Sequence, residues 1–138
     1  MKIVWCNGSF DILHSSHVEL LKIAKKLSCG GYVFVGIDSD SRIKDRKGLD
    51  RPYNSSSDRR AVLEALRYVD VVLEFSSDSE LKNLIQMVSP DIMLLGGDYK
   101  NKEIIGNNFA KELRFLDRNN STSSSSIIKK IQQHEYSI

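Results

Sequence analysis

Cysteine, histidine and unbalanced charge are all scarce in this sequence, and each scarcity removes a class of protein. Of two cysteines, Cys6 falls in an apolar run and Cys29 beside a pair of glycines. No disulfide framework can be read from them, and a reducing, cytoplasmic setting is expected. The third of three histidines, His134, lies far along the chain from the other two. With the cysteines scattered as well, no complete zinc ligand set is visible, and no protein-held metal is expected. A formal charge of +2 over 138 residues gives no case for a nucleic-acid surface. Apolar runs long enough for a signal peptide or a membrane span are missing, and Met1-Lys2 leads at once into a strand-like stretch. No internal repeat or linker interrupts the pattern, so residues 1–138 are expected to form one domain.

What is present is a regular alternation. Ile3-Val4-Trp5-Cys6, Tyr32-Val33-Phe34-Val35-Gly36-Ile37, Val71-Val72-Leu73, Ile92-Met93-Leu94-Leu95 and Leu113 to Leu116 read as strands. Their near-continuous apolar character suits a parallel sheet covered on both faces. Helical patterns lie between them. The first carries Leu20, Leu21, Ala24 and Leu27. The second runs from about Ser55 to Arg67, with Val62, Leu63 and Leu66 as its apolar face. Leu81 to Val88 follows, then a short piece around Asn107 to Glu112, then a last helix from about Ser125 to Gln133. Asp38 to Asn54 reads as a long polar loop. The alternation predicts an α/β fold: a doubly wound, five-stranded parallel sheet with helices on both faces. Ligands of such sheets lie outside the carboxyl ends of the strands, where Gly8–His17, Asp38–Arg51, Gly96–Lys100 and Arg118–Ser125 all fall.

Gly8-Ser9-Phe10-Asp11-Ile12-Leu13-His14-Ser15-Ser16-His17 joins the first strand to the first helix. A helix start offers unpaired N–H groups and a positive dipole end, and two imidazoles at i and i+3 can donate to one phosphate there. Gly8 leaves no Cβ in a ligand's way. The same residues admit blander readings: ordinary surface histidines, Ser15 and Ser16 as helix caps, or half of a zinc site. Lys44, Arg46 and Lys47 form either a cationic loop that closes on a triphosphate or a solvated basic segment. Gly96-Gly97-Asp98 suits a base or ribose lying on backbone, with Asp98 as acceptor, or an ordinary strand-to-helix turn. The serine run after Arg118 is either low-complexity linker or another hydroxyl-rich helix start.

The Gly8–His17 stretch resembles the G-x-F-D-x-x-H-x-G-H signature of the cytidylyltransferase-like nucleotidyltransferases, with Ser16 in place of the family glycine. Lys47-Gly48 followed by Arg51-Pro52-Tyr53-Asn54, with Arg59 after it, is similar to the bacterial heptose-phosphate adenylyltransferase domain. So is Gly96-Gly97-Asp98-Tyr99-Lys100 with Glu103-Ile104-Ile105-Gly106. Arg118 with Ser123, Ser124 and Ser125 resembles the family's R-x-x-x-I-S-T-T signature, and its arginine is typical of the cytidylyltransferase branch. The two sub-family markers disagree, and the longer matches favour the heptose enzymes.

The resemblance implies transfer of a nucleoside monophosphate from a triphosphate to a small phosphorylated acceptor, with release of pyrophosphate. It implies His14 and His17 on the transferring phosphate and Lys44, Lys47 and Arg118 on the triphosphate. Gly8, Ser9, Phe10, Asp11, Ser16, Gly97, Asp98, Ser123, Ser124 and Ser125 would surround the nucleotide, with Asp11 anchoring the loop rather than doing chemistry. Arg51, Asn54 and Arg59 would meet the acceptor. Mg²⁺ is expected with the triphosphate, held largely by phosphate and water, and two-fold homodimers are common in the family. The leading pair is ATP with heptose 1-phosphate; alternatives are CTP with glycerol 3-phosphate, or a nucleotide-binding module without turnover.

Overall fold

A computed structural model describes residues 1–117 and 123–137, leaving out the side chains of residues 98 and 135–137. Five strands, β1 (Ile3–Gly8), β2 (Tyr32–Asp38), β3 (Val71–Phe75), β4 (Ile92–Gly96) and β5 (Glu112–Leu116), form one sheet in the order β3-β2-β1-β4-β5. Every neighbouring pair is parallel. Helices α1 (Ser15–Leu27), α2 (Asp40–Lys47), α3 (Ser56–Glu64), α4 (Asp78–Val88) and α5 (Ser124–Ser137) fill the connections. No helix among the described residues is long and apolar enough to cross a membrane.

Alternation within each strand decides which helix covers which face. Val4 and Cys6 of β1, Val33 and Val35 of β2, and Ile92 and Leu94 of β4 point to one side, where Leu21 and Ala24 of α1 and Leu63 of α3 bury them. Trp5, Phe34, Phe75 and Met93 point to the other, against Leu81 and Ile85 of α4 and the segment from Ile104 to Ala110. Because both faces are covered, the strands carry no polar alternation. The chain runs from β1 through β2 to β3 on one side, then crosses to β4 on the other side of β1. The carboxyl ends of β1 and β4 are therefore the topological switch point, where the crevice of such a sheet opens.

Three local expectations change. The polar stretch after β2 is partly helical: Ser39 accepts from the Arg42 N–H as N-cap, and Gly48, at φ 110°, ends the helix. Of its eight residues only Ile43 is apolar and buried, so no hydrophobic stripe marks it in the sequence. The second predicted helix stops at Glu64, and Val62 is exposed while Leu63 and Leu66 pack inward. The short piece near residue 107 is one 3₁₀ turn (Asn107–Phe109), and Glu112 already belongs to β5.

Candidate active site

β1 ends at Gly8, and the chain turns sharply through Phe10, whose φ of 49° is left-handed. The Phe10 ring folds back over the glycine: a Cβ on Gly8 would lie 3.3 Å from it. The missing side chain thus makes room for Phe10, while Gly8 itself still lines both cavities described below. Phe10 in turn packs on the His17 ring, with centroids 5.0 Å apart.

His14 is the N-cap of α1 and His17 its third residue. Their rings stack at 3.8 Å with an interplanar angle of 26°. The His14 backbone N–H donates to His17 Nδ1 at 3.3 Å, so in the neutral imidazole the proton sits on Nε2 and that atom is a donor. No acidic residue occupies the first turn of α1. The positive end of the helix dipole therefore has no carboxylate of its own turn beside it, as suits an anionic ligand.

Behind this turn lies a buried scaffold. Asp11, 4% exposed, accepts from the backbone N–H groups of Tyr53 and Asn54, each at 2.8 Å, and Asn54 Nδ2 donates back to the Asp11 carbonyl. Arg59, 1% exposed, donates to the carbonyls of Asn54, Ser9 and Asp38 and to the Asp40 carboxylate. Arg51 packs over the Tyr53 ring at 4.9 Å, with its Nε 3.5 Å from Asp11.

Two cavities open at the switch point, and they share the walls Asn7, Gly8, Ser9, Leu95 and Tyr99. The smaller, about 240 Å³, is lined by His14, Ser16, His17, Phe10 and Gly96. A Cβ on Gly96 would meet nothing within 4 Å. The larger, about 280 Å³, is lined by Asp38, Arg42, Arg46, Lys47, Glu103 and apolar side chains. Taken together they reach the range of small-ligand sites, roughly 300–1,000 Å³. Lys47 Nζ reaches across to Ser9 Oγ at 3.2 Å, at the common wall. Arg42 Nε donates to Asp38 at 2.8 Å and its Nη2 to Asp78 at 2.7 Å, while Arg46 shares Asp78 at 3.0 Å. The Arg42 hydrogen bond, chiefly, holds the Asp78 carboxyl below the usual carboxylate range, so it stays charged beside both guanidinium groups.

The far end of the chain arrives at the same place. Ser124 Oγ donates to the Ile12 carbonyl at 3.1 Å, seating the start of α5 on the histidine loop. Ser123 and Ser126 cap that helix reciprocally, each N–H donating to the other's hydroxyl. Ser125 is exposed.

Of the residues singled out in the sequence, Gly8, Ser9, Phe10, His14, Ser16, His17 and Lys47 line the two cavities. Lys44 is exposed on α2 and lines neither. Nor do Arg51, Asn54 and Arg59, which were expected on the acceptor. Arg59 and Asn54 hydrogen-bond the loop backbone, and Arg51 lies beside Asp11 and Tyr53. Gly97 lies against Asp117, 3.0 Å from where a Cβ would stand. The side chain of Asp98 and the whole of Arg118 lie outside the described residues. Among those described, no three metal-ligating side chains converge. Arg42 lines a cavity without having been singled out in the sequence, and Tyr99 and Glu103, noted there only as part of a motif, line it too. The i, i+4 spacing of Asp38, Arg42 and Arg46 was visible, but only a helix gives that spacing meaning.

The pattern of the cytidylyltransferase-like family matches residues 5–131. The bifunctional protein HldE of Campylobacter concisus is 44% identical over 131 residues, covering 95% of this chain and 27% of its own length. Its namesake in Helicobacter pylori strain Shi470 is 46% identical over 132 residues, covering 96% and 28%. The chain thus spans little more than a quarter of these relatives. Among solved structures, the lipopolysaccharide core biosynthesis protein from Thermoplasma volcanium superposes with a TM-score of 0.69 at 27% identity, over 86% of this chain and 99% of that one. Pantothenate synthetase from Thermus thermophilus, 13% identical with a TM-score of 0.64 over 92% of this chain and 61% of its own, shares the fold.

Proposed function

The chain belongs to the cytidylyltransferase-like family of nucleotidyltransferases, and we propose that it transfers adenylate from ATP to heptose 1-phosphate. One observation carries the reading: two cavities, one walled by both histidines and one by Lys47 with carboxylate-paired arginines, share the Gly8–Ser9 wall. Two substrates bound side by side there would bring their phosphates together at that wall. An oxygen of the acceptor phosphate attacks the α-phosphorus, a new P–O bond forms, and the bond to the β-phosphate breaks to release pyrophosphate. The acceptor phosphate is already an adequate nucleophile, so positioning and charge stabilisation suffice. The Nε2 proton of His17 and the ring of His14 stabilise charge on the transferring phosphate. Lys47 neutralises phosphate at the common wall, and the start of α5 receives the β- and γ-phosphates. Mg²⁺ enters as the triphosphate's companion, carried by phosphate oxygens and water. The name of the Thermoplasma relative, with its lipopolysaccharide core, supports a sugar phosphate as acceptor.

Arg118, the arginine typical of the cytidylyltransferase branch, favours a second reading: CTP with glycerol 3-phosphate. The test is a matrix of four nucleoside triphosphates against sugar and polyol phosphates, followed by pyrophosphate release. Release is expected only with both substrates present and fastest with ATP and heptose 1-phosphate. A maximum at CTP and glycerol 3-phosphate selects the second reading. Nucleotide binding without release from any pair contradicts both and leaves a binding module.

A further inference from the structure

The larger cavity contains an arginine that the transfer reaction leaves unexplained. Arg42 is buried, its side chain only 8% exposed, yet it lines the cavity. Its position is fixed from three sides: Asp38 at Nε, Asp78 at Nη2, and the Phe75 ring 5.2 Å below the guanidinium carbon. An arginine carries five N–H donors, and those two bonds occupy the edge formed by Nε and Nη2. The outer edge, which carries Nη1, is engaged there by no described residue.

The charges around it argue against a phosphate as its ligand. Arg42 and Arg46 face Asp38 and Asp78, so their positive charge is matched locally, and Glu103 adds a further carboxylate to the lining. Such a wall is rich in donors and acceptors but nearly neutral, which complements hydroxyl groups, since each both donates and accepts. Phe75, Leu81, Leu95 and Ile104 supply apolar surface for the C–H faces of a sugar. Lys47, by contrast, makes no ion pair among the described residues and stands at the wall shared with the histidine cavity. The acceptor phosphate belongs there, within reach of the transferring phosphorus.

We propose that Arg42 is a specificity-determining residue, its outer guanidinium edge binding hydroxyls of a polyhydroxylated sugar phosphate whose phosphate lies at Lys47. The assignment deepens the transfer reading and rests on it for the placement of the phosphate. Asp38 and Asp78 act as positioning residues that hold the fork rigid.

Calorimetric titration of the full chain with heptose 1-phosphate, inorganic phosphate and a nucleoside triphosphate tests it in wild type, Arg42→Met and Arg42→Lys. Arg42→Lys keeps a cation between the two carboxylates and guards against loss of the fold, which thermal melting checks. In both variants the Kd for heptose 1-phosphate is expected to rise at least tenfold, with inorganic phosphate and nucleotide within twofold of wild type. Unchanged sugar-phosphate binding in Arg42→Lys overturns the proposal. So does equal weakening of all three ligands, which would make Arg42 a phosphate or scaffold residue, and so does a wild type that binds no sugar phosphate. Arg42-dependent sugar binding in a protein that releases no pyrophosphate would sink the transfer reading while leaving this one standing.

Discussion

Asp11 and Arg59 occupy the motifs that point to the ligand, yet both bind the protein itself. Asp11 gives its two carboxylate oxygens to backbone N–H groups across 42 and 43 residues of sequence. Arg59 fastens three carbonyls and a carboxylate. Removing a buried cation that satisfies several acceptors leaves them unpaired, so Arg59→Met is expected to lower unfolding free energy by roughly 3 kcal/mol. Urea denaturation reads the loss, and a change below about 0.5 kcal/mol would show that the acceptors find other partners. His17 is expected to behave in the opposite way. His17→Ala should cost only about 1 kcal/mol of stability, for the lost contact with the His14 N–H, and cut kcat at least about a hundredfold, as loss of a transition-state contact does. A near-normal kcat removes His17 from the mechanism. Residue types and spacing made the histidine turn legible in the sequence. They could not separate residues facing the cavity from those bracing it, because both kinds are polar and share the same motifs. Arg51, Asn54 and Arg59, placed on the acceptor by their motif, here contact the histidine loop and its neighbours.

Among elements, the strands and α1, α3 and α4 were readable because each buries apolar residues at the right period, and α5 was readable from its apolar spacing although Ile131 is exposed. α2 was not, since a single isoleucine is its apolar anchor and its other side chains meet the cavity, Arg59 or solvent. Carboxylates brace the sheet's amino end. Asp91 accepts from the Ile3 N–H at 2.8 Å and pairs with Lys111 at 3.1 Å, tying together the starts of β1, β4 and β5. The Ile3 hydrogen bond, then Lys111, holds its carboxyl below the ordinary value. A carboxyl with a lowered folded-state pKa stabilises the fold above its unfolded value and loses that contribution as pH falls through the folded one. Melting temperature is therefore expected to drop more steeply below about pH 4 in wild type than in Asp91→Asn. Parallel pH profiles would contradict this. At Gly106, φ is +79° and a Cβ would stand 2.7 Å from Ile85 Cδ1. Gly106→Ala is expected to destabilise by about 1–3 kcal/mol through strain and overpacking, read by denaturation; a loss below about 0.5 kcal/mol would show that Ile85 gives way freely.

Across the whole molecule, the two cysteines report how completely the sheet is enclosed. Cys6 is fully buried in the central strand, and burial pushes its thiol up to about 12, whereas Cys29 is exposed. A thiol reagent is expected to titrate one cysteine in the native protein and two after unfolding; fast reaction of both in the native state would mean that the β1 face opens readily. The order β3-β2-β1-β4-β5 then explains why sites so distant in sequence meet. The turn after β1 and the start of α5 are 112 residues apart at the Ile12–Ser124 hydrogen bond, and that turn borders the crevice that the switch in winding creates. Strand count and parallel direction could be anticipated from the alternation. The division of the crevice into two lobes could not, because it depends on where Tyr99 and the Gly8–Ser9 turn stand in space. A crystal structure of the protein with a non-hydrolysable triphosphate tests that arrangement most directly. The α-phosphate is expected within hydrogen-bonding distance of His14 and His17, with the outer phosphates at the start of α5. A triphosphate bound away from the β1–β4 crevice, with neither imidazole in contact, would contradict it.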